Sequence, residues 1–238
     1  MSISIIGTGK MGQAVASALL ESQTEINQFN SSNPVTAQLL QETNSKIVVD
    51  CSIGSAFLEN LPLYLENKQK VVVVASNWYD DFDKVKAQVE SQNGDLIFAK
   101  NFSITLQIYQ KLLKEACKSF ANYPEFDVFG LEWHHRAKKD SPSSTTQALA
   151  ETIIENSPSK SNISYENPHT QIAKDTLHFA CLRGGEDNII HNIYFDNENE
   201  TIELKHSIKN RKAIVLGILN AIKYIETHQG FYAWEDTI

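Results

Sequence analysis

The sequence predicts an α/β protein in which a doubly wound parallel sheet is interrupted by an inserted α+β domain. Two observations carry this prediction. In the first hundred residues, short β-branched segments alternate with segments of helical periodicity, as they do in right-handed crossovers between parallel strands. After Phe102, strand-like segments follow one another without intervening helices, which is typical of an antiparallel or mixed sheet.

The first part of the chain contains five predicted strands. They are ISII, EINQF, KIVVDCS, KVVVVAS and DLIFA. The first strand leads into a helix with Met11, Val15 and Leu19 on one face. Breaks follow at Asn33–Pro34, SIGS and NGD, where turn-forming residues cluster.

The second part begins with a long amphipathic helix and continues with a strand, EFDVFGLEWHH, and a helix over residues 145–156. Three further strands are predicted in TLHFACL, HNIYF and TIELKH, before a last helix with an apolar stripe. We therefore predict a dinucleotide-binding domain of residues 1–103 and 208–238. Residues 104–207 are predicted to form a substrate-binding and oligomerisation domain.

Composition excludes several classes of function. The 238 residues are 42% hydrophobic and 21% charged, as in ordinary globular proteins, and the formal net charge is −8. This charge disfavours nucleic acids and anionic membranes as partners. The first residues do not resemble a signal peptide, and no apolar run approaches the roughly 20 residues that span a bilayer. We expect a cytoplasmic protein without a membrane or nucleic-acid partner.

A glycine motif directly follows the first strand. Gly7, Gly9 and Gly12 form G-x-G-x-x-G at the start of a helix, where a turn, a close phosphate approach and tight helix packing each favour glycine. A glycine-rich turn that binds nothing is the alternative. The position between a strand and an amphipathic helix favours dinucleotide binding.

The segment FNSSNP lies where an NAD enzyme usually carries an acidic residue for the ribose hydroxyls. Here Asn30 and Ser31 replace it, which removes the repulsion against a 2′-phosphate. The expected cofactor is NADPH, with NADH possible.

The segment EWHHRAKKDSPSSTT, residues 132–146, predicts a strand end, a basic loop and a helix start. Helix-end amides, hydroxyls and Lys138 would hold a carboxylate, and a histidine that titrates near neutrality could supply a proton. Surface histidines, a solvated loop and a simple helix cap are the structural alternatives. A metal site ranks low, because no Cys, Asp or Glu is seen at a ligand spacing.

These segments resemble the 4-hydroxy-tetrahydrodipicolinate reductase (dihydrodipicolinate reductase) family over nearly the whole chain. The similar segments are GTGKMG, AKNFSI, EWHHRAKKDSPSSTT against E-x-H-H-x-x-K-x-D-x-P-S-G-T, LRGGEDNIIH and ELKHSIKNRKAIVLGILNAIKYI. The resemblance implies a Rossmann-like nucleotide domain and NAD(P)H-dependent reduction of a cyclic dicarboxylate imine in lysine and diaminopimelate biosynthesis. It also implies closure of the two domains and a homotetramer formed through the sheet of the second domain.

The resemblance also implies residue roles. His134 would be the proton donor, Lys138 the catalytic cation, and His135 a residue that shapes the substrate pocket. The substrate carboxylate would be held by Ser143, Ser144 and Thr145. The expected cofactor contacts are Gly7, Thr8, Gly9, Lys10, Met11, Gly12, Asn30, Ser31, Ala75, Ser76, Asn77 and Phe102.

The chain departs from the family pattern at several positions. Ser144, Trp78 and Ile189 stand where the family has glycine, and Asn77 replaces a threonine. These changes leave two alternatives open: a nucleotide-binding regulator without activity, or a reductase of another imino or keto acid whose pocket is reshaped by Trp78. For Arg183 and His191, a polar edge pair and a substrate contact are equally acceptable interpretations.

Overall fold

The computed structural model describes residues 2–186 and 189–238. Two residues of the LRGGEDNIIH segment, Asp187 and Asn188, lie outside this range. The chain separates into two compact units, one containing residues up to Ile104 together with Arg211–Ile238, and the other Thr105–Asn210.

In chain order the strands are β1 (Ser2–Ile6), β2 (Glu25–Phe29), β3 (Ser45–Asp50), β4 (Lys70–Val73), β5 (Asp95–Phe98), β6 (Asp127–His134), β7 (Asn162–Ser164), β8 (Thr176–Arg183), β9 (Ile189–Asp196), β10 (Thr201–Ser207) and β11 (Phe231–Ala233). The α-helices are α1 (Lys10–Glu21), α2 (Ala37–Glu42), α3 (Gly54–Glu66), α4 (Phe82–Ser91), α5 (Ile104–Phe120), α6 (Ser144–Asn156) and α7 (Lys212–Thr227). Short 3-10 turns lie at Tyr79–Asp81 and Trp234–Thr237.

The first unit is built on a six-stranded parallel sheet of order β11-β5-β4-β3-β1-β2. From β1 the chain moves outward to β2 and then returns past β1 to β3. The carboxyl ends of β1 and β3 are therefore neighbours at the point where the strand order reverses. Ligands of open α/β sheets bind at such a point.

Two apolar layers cover this sheet. On one face, Val15 of α1 packs with Ile218 and Ile225 of α7 against the β-branched side chains of the strands. The other face packs against α3 and α4, with Phe57 and Val89 fully buried. Residues of β3 and β4 are buried on both faces, which explains why their sequences are continuous apolar runs rather than alternating ones.

Trp78 belongs to the second of these layers. Its side chain is 1% exposed, and its indole Nε1 donates a hydrogen bond to the carbonyl of Ala75 at 3.1 Å. Its ring stacks on Tyr79 at 4.6 Å and meets the edge of Phe98 at 5.5 Å. The hypothesis that Trp78 reshapes a ligand pocket is therefore wrong, because an aromatic cluster of the core takes up the whole side chain.

The second unit contains a mixed five-stranded sheet of order β10-β9-β6-β8-β7. Strand β9 runs antiparallel to β6 and β10, whereas β8 runs parallel to β6 and β7. Helices α5 and α6 cover one face with Leu113, Leu149 and Ile153, which pack on Phe179 and Phe195. The fold class predicted from the sequence is confirmed in both units.

The opposite face of this sheet is apolar and partly exposed. Burial alternates along β6, so Phe129, Leu131 and Trp133 point away from the helices and remain partly accessible. Phe129 stacks on Tyr194 at 5.0 Å, and Leu182 on β8 is 49% exposed. Within the unit as described, no helix packs on this face.

None of the helices in the described ranges is long and apolar enough to cross a bilayer.

Candidate active site

The glycine motif forms the turn between β1 and α1. Gly7 has φ +94°, a left-handed conformation that side chains rarely adopt, and its amide donates to the carbonyl of Phe29 at 2.8 Å. A Cβ atom at Gly7 would lie 2.7 Å from the carbonyl oxygen of Cys51, just after β3. The loop is thereby held against the carboxyl end of β3.

The start of α1 fits a phosphate group. Gly9 is the N-cap, and no side chain of the described residues caps this helix end or lies within 4 Å of a Cβ placed at Gly9. The first turn carries no acidic side chain, and Lys10 is its first residue. Open space, uncapped amides and a lysine suit the pyrophosphate of a dinucleotide.

The predicted ribose-binding segment follows β2 as a tight turn. The Asn30 side-chain oxygen accepts from the amides of Ser32 and Asn33 at 2.9 and 3.1 Å, and its Nδ2 donates to Thr8 at 3.3 Å. Asn30 therefore ties this turn to the glycine loop. Ser31 is exposed beside it.

The remaining predicted cofactor residues differ in accessibility. Ser76 and Asn77 are exposed after β4, and Asn77 has φ +63°, in a region where asparagine is tolerated better than threonine. Ala75 and Phe102 are buried. The Phe102 ring packs on Trp234 in the core, and its carbonyl lies against Gly217 of α7, so no part of Phe102 is open to a ligand in this structure.

In the second unit, the predicted strand, loop and helix start of the basic segment are present. Ser143 is the N-cap of α6, and its hydroxyl accepts from the amide of Thr146 at 3.1 Å. This capping role buries Ser143, whereas Ser144 is exposed and Thr145 is partly buried. Ser144 is the first helical residue, so its backbone needs no left-handed conformation and the missing glycine causes no strain there.

His134 ends β6 and is 6% exposed. Its Nε2 lies 3.6 Å from Oε2 of Glu132, and its ring centroid is 5.5 Å from that of His191. Within the described part of the chain, neither ring nitrogen of His134 has a hydrogen-bond partner. His135, the other predicted histidine, is only partly buried, with its ring 6.5 Å away.

Glu132 is the centre of this group and is fully buried. Its Oε1 lies 2.6 Å from the guanidinium of Arg183, at the end of β8. Its Oε2 accepts from the Ser143 amide at 3.0 Å and from the Thr146 hydroxyl. The carboxylate thus joins β6, β8 and the first turn of α6.

The basic loop folds against this group. Lys138 Nζ bonds both carboxylate oxygens of Asp140 at 2.8 Å, and the lysine side chain is 21% exposed. Arg183 also donates to the carbonyl of Asp140 at 2.7 Å. Lys138 is therefore partly accessible, and its charge is shared with Asp140.

Burial controls the protonation of this group. Burial lowers the pKa of His134 to about 4, although Glu132 acts in the opposite direction. The expectation of a histidine that titrates near neutrality is therefore wrong for the chain without ligand. For Glu132, burial alone would raise the pKa, but interactions with His191, Ser143, Thr146 and Arg183 together lower it. At pH 7, Glu132 is therefore a carboxylate and the imidazole of His134 is neutral.

The same side chains could be considered as a metal site. Ligand atoms of Glu132, His134 and His191 lie within 4.8 Å of one another, so the argument that no acidic residue lies at a ligand spacing is wrong. However, both lone-pair directions of Oε2 are already occupied by Ser143 and Thr146, and Arg183 adds a fixed positive charge. A cation would have to displace these interactions, so the arrangement suits a proton better than a metal ion.

Sequence reasoning missed Glu132 as a functional residue and left Arg183 and His191 undecided. One local signal was present: Glu132 and His134 are two residues apart on a strand, so they share one face, and that face is the buried one. The contacts with Arg183 and His191 depend on the pairing of β6 with β8 and β9.

A glycine loop at the reversal point of a parallel sheet, together with a second unit that carries histidines and lysine beside a helix start, defines a two-unit α/β protein of the nucleotide-dependent oxidoreductase class. Comparisons with known proteins agree. Residues 105–238 match the family model described as dihydrodipicolinate reductase, C-terminus, and residues 2–98 match NADP oxidoreductase, coenzyme F420-dependent. The chain belongs to the dihydrodipicolinate reductase family, and the resemblance noted in the sequence is confirmed.

Individual relatives cover the full chain. A 4-hydroxy-tetrahydrodipicolinate reductase of Methanocaldococcus jannaschii is 28% identical over 98% of this chain and 80% of its own length. A 4-hydroxy-tetrahydrodipicolinate reductase of Christiangramia forsetii is 23% identical over 100% of this chain and 98% of its own length. A dipicolinate-bound dihydrodipicolinate reductase from Paenisporosarcina sp. TG-14 has a similar fold, with a TM-score of 0.80 at 20% identity and coverage of 100% and 99%.

Proposed function

We propose that this protein is an NAD(P)H-dependent reductase that converts 4-hydroxy-tetrahydrodipicolinate to tetrahydrodipicolinate in lysine and diaminopimelate biosynthesis. The observation that carries the proposal is the junction of β6 and α6. In a member of this reductase family, it places a buried histidine, an accessible lysine and a helix start with hydroxyl groups within one short segment.

The first unit would bind the cofactor. The amides at the start of α1, with Lys10, would hold the pyrophosphate, and Gly9 would leave room for it. Asn30 and Ser31 would face the ribose, where the absence of a carboxylate favours NADPH over NADH. Ser76 and Asn77 follow β4 and would contact the nicotinamide end of the cofactor. When bound, the reduced nicotinamide supplies a hydride.

The second unit would bind the substrate. Backbone amides at Ser144 and Thr145, the Thr145 hydroxyl and Lys138 would hold a carboxylate of the cyclic diacid. Two negative charges near His134 would favour its imidazolium form, so binding of the dianion is expected to raise the pKa of His134. His134 would then deliver the proton that accompanies hydride transfer.

The uncovered sheet face supports an oligomer. Phe129, Leu131, Trp133 and Leu182 form a partly exposed apolar surface that a second sheet could cover. We propose a homotetramer formed through this face. We also propose that the protein acts in the cytoplasm without nucleic-acid or membrane partners, because the net charge of −8 disfavours binding to nucleic acids and anionic membranes.

The direct test is a coupled assay with freshly generated substrate. NADPH oxidation that requires the cyclic imine, and that pyridine-2,6-dicarboxylate inhibits competitively, would support the proposal. Tight NADPH binding without oxidation would instead identify a regulator. Oxidation with a different imino or keto acid in a substrate panel would identify another reductase. Trp78 and Ser144 were among the departures from the family pattern that suggested these alternatives. Trp78 is a core residue and Ser144 fits its helix, so neither residue favours them.

A further inference from the structure

The buried carboxylate of Glu132 has more partners than helix anchoring needs. The Ser143 hydroxyl already caps α6, and a neutral side chain could accept the remaining bonds from the Ser143 amide and Thr146. Burial of a full charge is costly, and here the ion pair with Arg183 and the hydrogen bonds from Ser143 and Thr146 offset that cost.

The charge lies between two imidazoles that have no other polar partner among the described residues. Glu132 Oε2 is 3.6 Å from Nε2 of His134 and 3.8 Å from Nε2 of His191. Both histidines are at least nine-tenths buried. A carboxylate at this separation stabilises an imidazolium and favours a ring orientation that directs Nε2 towards the charge.

Arg183 sets the strength of this effect. Its guanidinium contacts Oε1, whereas the two histidines lie nearer Oε2, and it brings an opposing positive charge into the same group. The charged and titratable groups that act on His134 are therefore Glu132, His191, Lys138 and Arg183. Two of these, Glu132 and Arg183, have opposite signs and touch each other.

We propose that Glu132 is the positioning residue of the reductase. It holds His134, the proton donor, in register with the carboxylate-binding start of α6, and Arg183 tunes the effect of the Glu132 charge. The inference rests on the proposed function and deepens it. Glu132 touches neither the substrate nor the cofactor in this role. It connects the proton donor and the anion site through one carboxylate.

The test compares the pH profiles of two variants with opposite charge changes. Glu132→Gln keeps the shape of the side chain and removes the negative charge. Its kcat should fall by roughly 30-fold or more at pH 7.5, and the limb of the kcat profile that reports the acid should move down by about one pH unit. Arg183→Gln leaves the carboxylate and should move the same limb upward.

Measurement of ligand binding distinguishes a positioning role of Glu132 from a purely structural role in the fold. The dissociation constant of pyridine-2,6-dicarboxylate should change by less than about 3-fold in Glu132→Gln, because the lost charge is negative and the start of α6 keeps its Ser143 cap. Thr146→Val is the matched control, since it removes one hydrogen bond to Glu132 but no charge. It should leave the pH limb in place.

Three outcomes would overturn the inference: near-wild-type kcat in Glu132→Gln, an unshifted limb in both charge variants, or a shift of the same size in Thr146→Val. If Glu132→Gln does not fold, the upward shift in Arg183→Gln decides alone. Failure of the proposed function is a distinct result, because the wild-type protein itself would then not oxidise NADPH with the cyclic imine.

Discussion

Gly12 packs directly against the backbone of Gly7: a Cβ atom at Gly12 would lie 1.9 Å from the carbonyl oxygen of Gly7. The second glycine of the motif differs, because a Cβ at Gly9 would meet no atom of the described residues within 4 Å. The same chemical change at these two positions should therefore have different consequences.

We expect Gly12→Ala to destabilise the fold by about 2–4 kcal/mol, because the loop or α1 must move to relieve the overlap. Gly9→Ala should change the free energy of unfolding by less than about 0.5 kcal/mol but weaken NADPH binding roughly 10-fold, since the methyl group fills the space left for the phosphates. Urea unfolding and cofactor titration measure the two effects. Equal stability of the two variants would contradict the packing argument.

The proton donor can be tested by His134→Gln. Turnover should fall by roughly 100-fold or more, the size expected for the loss of a general acid, while NADPH affinity changes little. His169→Gln is a suitable control, since His169 is exposed and lies away from β6 and α6 along the chain. Near-wild-type turnover of His134→Gln would remove this histidine from the mechanism.

The turn after β2 should determine cofactor preference. Asn30→Asp preserves the oxygen that accepts from Ser32 and Asn33, so the turn should remain folded. The new carboxylate would repel a 2′-phosphate and bond to a 2′-hydroxyl. We expect the ratio of kcat/KM for NADPH to that for NADH to fall by about 10-fold, which corresponds to roughly 1.4 kcal/mol. A wild-type enzyme that prefers NADH would show that the polar turn does not select the phosphate.

Stability should decrease between pH 6.5 and pH 4. Burial lowers the pKa of His134 and of His206 to about 4, whereas an unfolded histidine titrates near about 6.5. Below pH 6.5 the unfolded chain therefore binds protons that the folded chain does not. The stabilisation is fully present above about pH 6.5 and lost towards pH 4, by at most about 3 kcal/mol per histidine.

Urea unfolding at several pH values measures this loss. His206→Asn should reduce the pH dependence by about half, because one of the two lowered pKa values is removed. Glu132 acts in a lower range: its pKa is lowered, so its contribution is present above about pH 4.3 and disappears only on further acidification. An unfolding free energy that is constant from pH 7.5 to pH 5 would contradict the burial of neutral histidines.

Removal of metal ions should leave the enzyme unchanged. Because Glu132 Oε2 is occupied by the donors of Ser143 and Thr146, treatment with EDTA should alter neither kcat nor the melting temperature. Added Zn²⁺ should likewise not raise the melting temperature. Stabilisation by zinc that His191→Gln abolishes would mean that Glu132, His134 and His191 bind a metal after all.

The sequence predicted the elements that depend on local pattern. The β1–α1 turn and the start of α6 are encoded by glycine spacing and by capping residues, and both form where these patterns place them. The short strands β7 and β11, of three residues each, were not predicted. Segments of this length contain too few residues for an alternating pattern to emerge.

The candidate site was predictable only in part, for a related reason. His134, Lys138 and Ser143 lie within one segment, so their proximity follows from the chain itself. Arg183 and His191 join Glu132 because β8 and β9 flank β6, and strand pairing over such distances leaves no local signal. The lowered pKa of His134 also could not be predicted, because it depends on burial by neighbouring elements.

The order of the chain affects how the protein can fold during synthesis. The first unit closes its core only when α7 supplies Val215, Ile218 and Ile225, and its sheet is complete only when β11 pairs with β5. The ribosome delivers these residues last. The second unit lies wholly upstream of α7, so it can fold first. Until α7 has been synthesised, the apolar strands of the first unit remain uncovered on one face, where chaperones can bind or aggregation can begin.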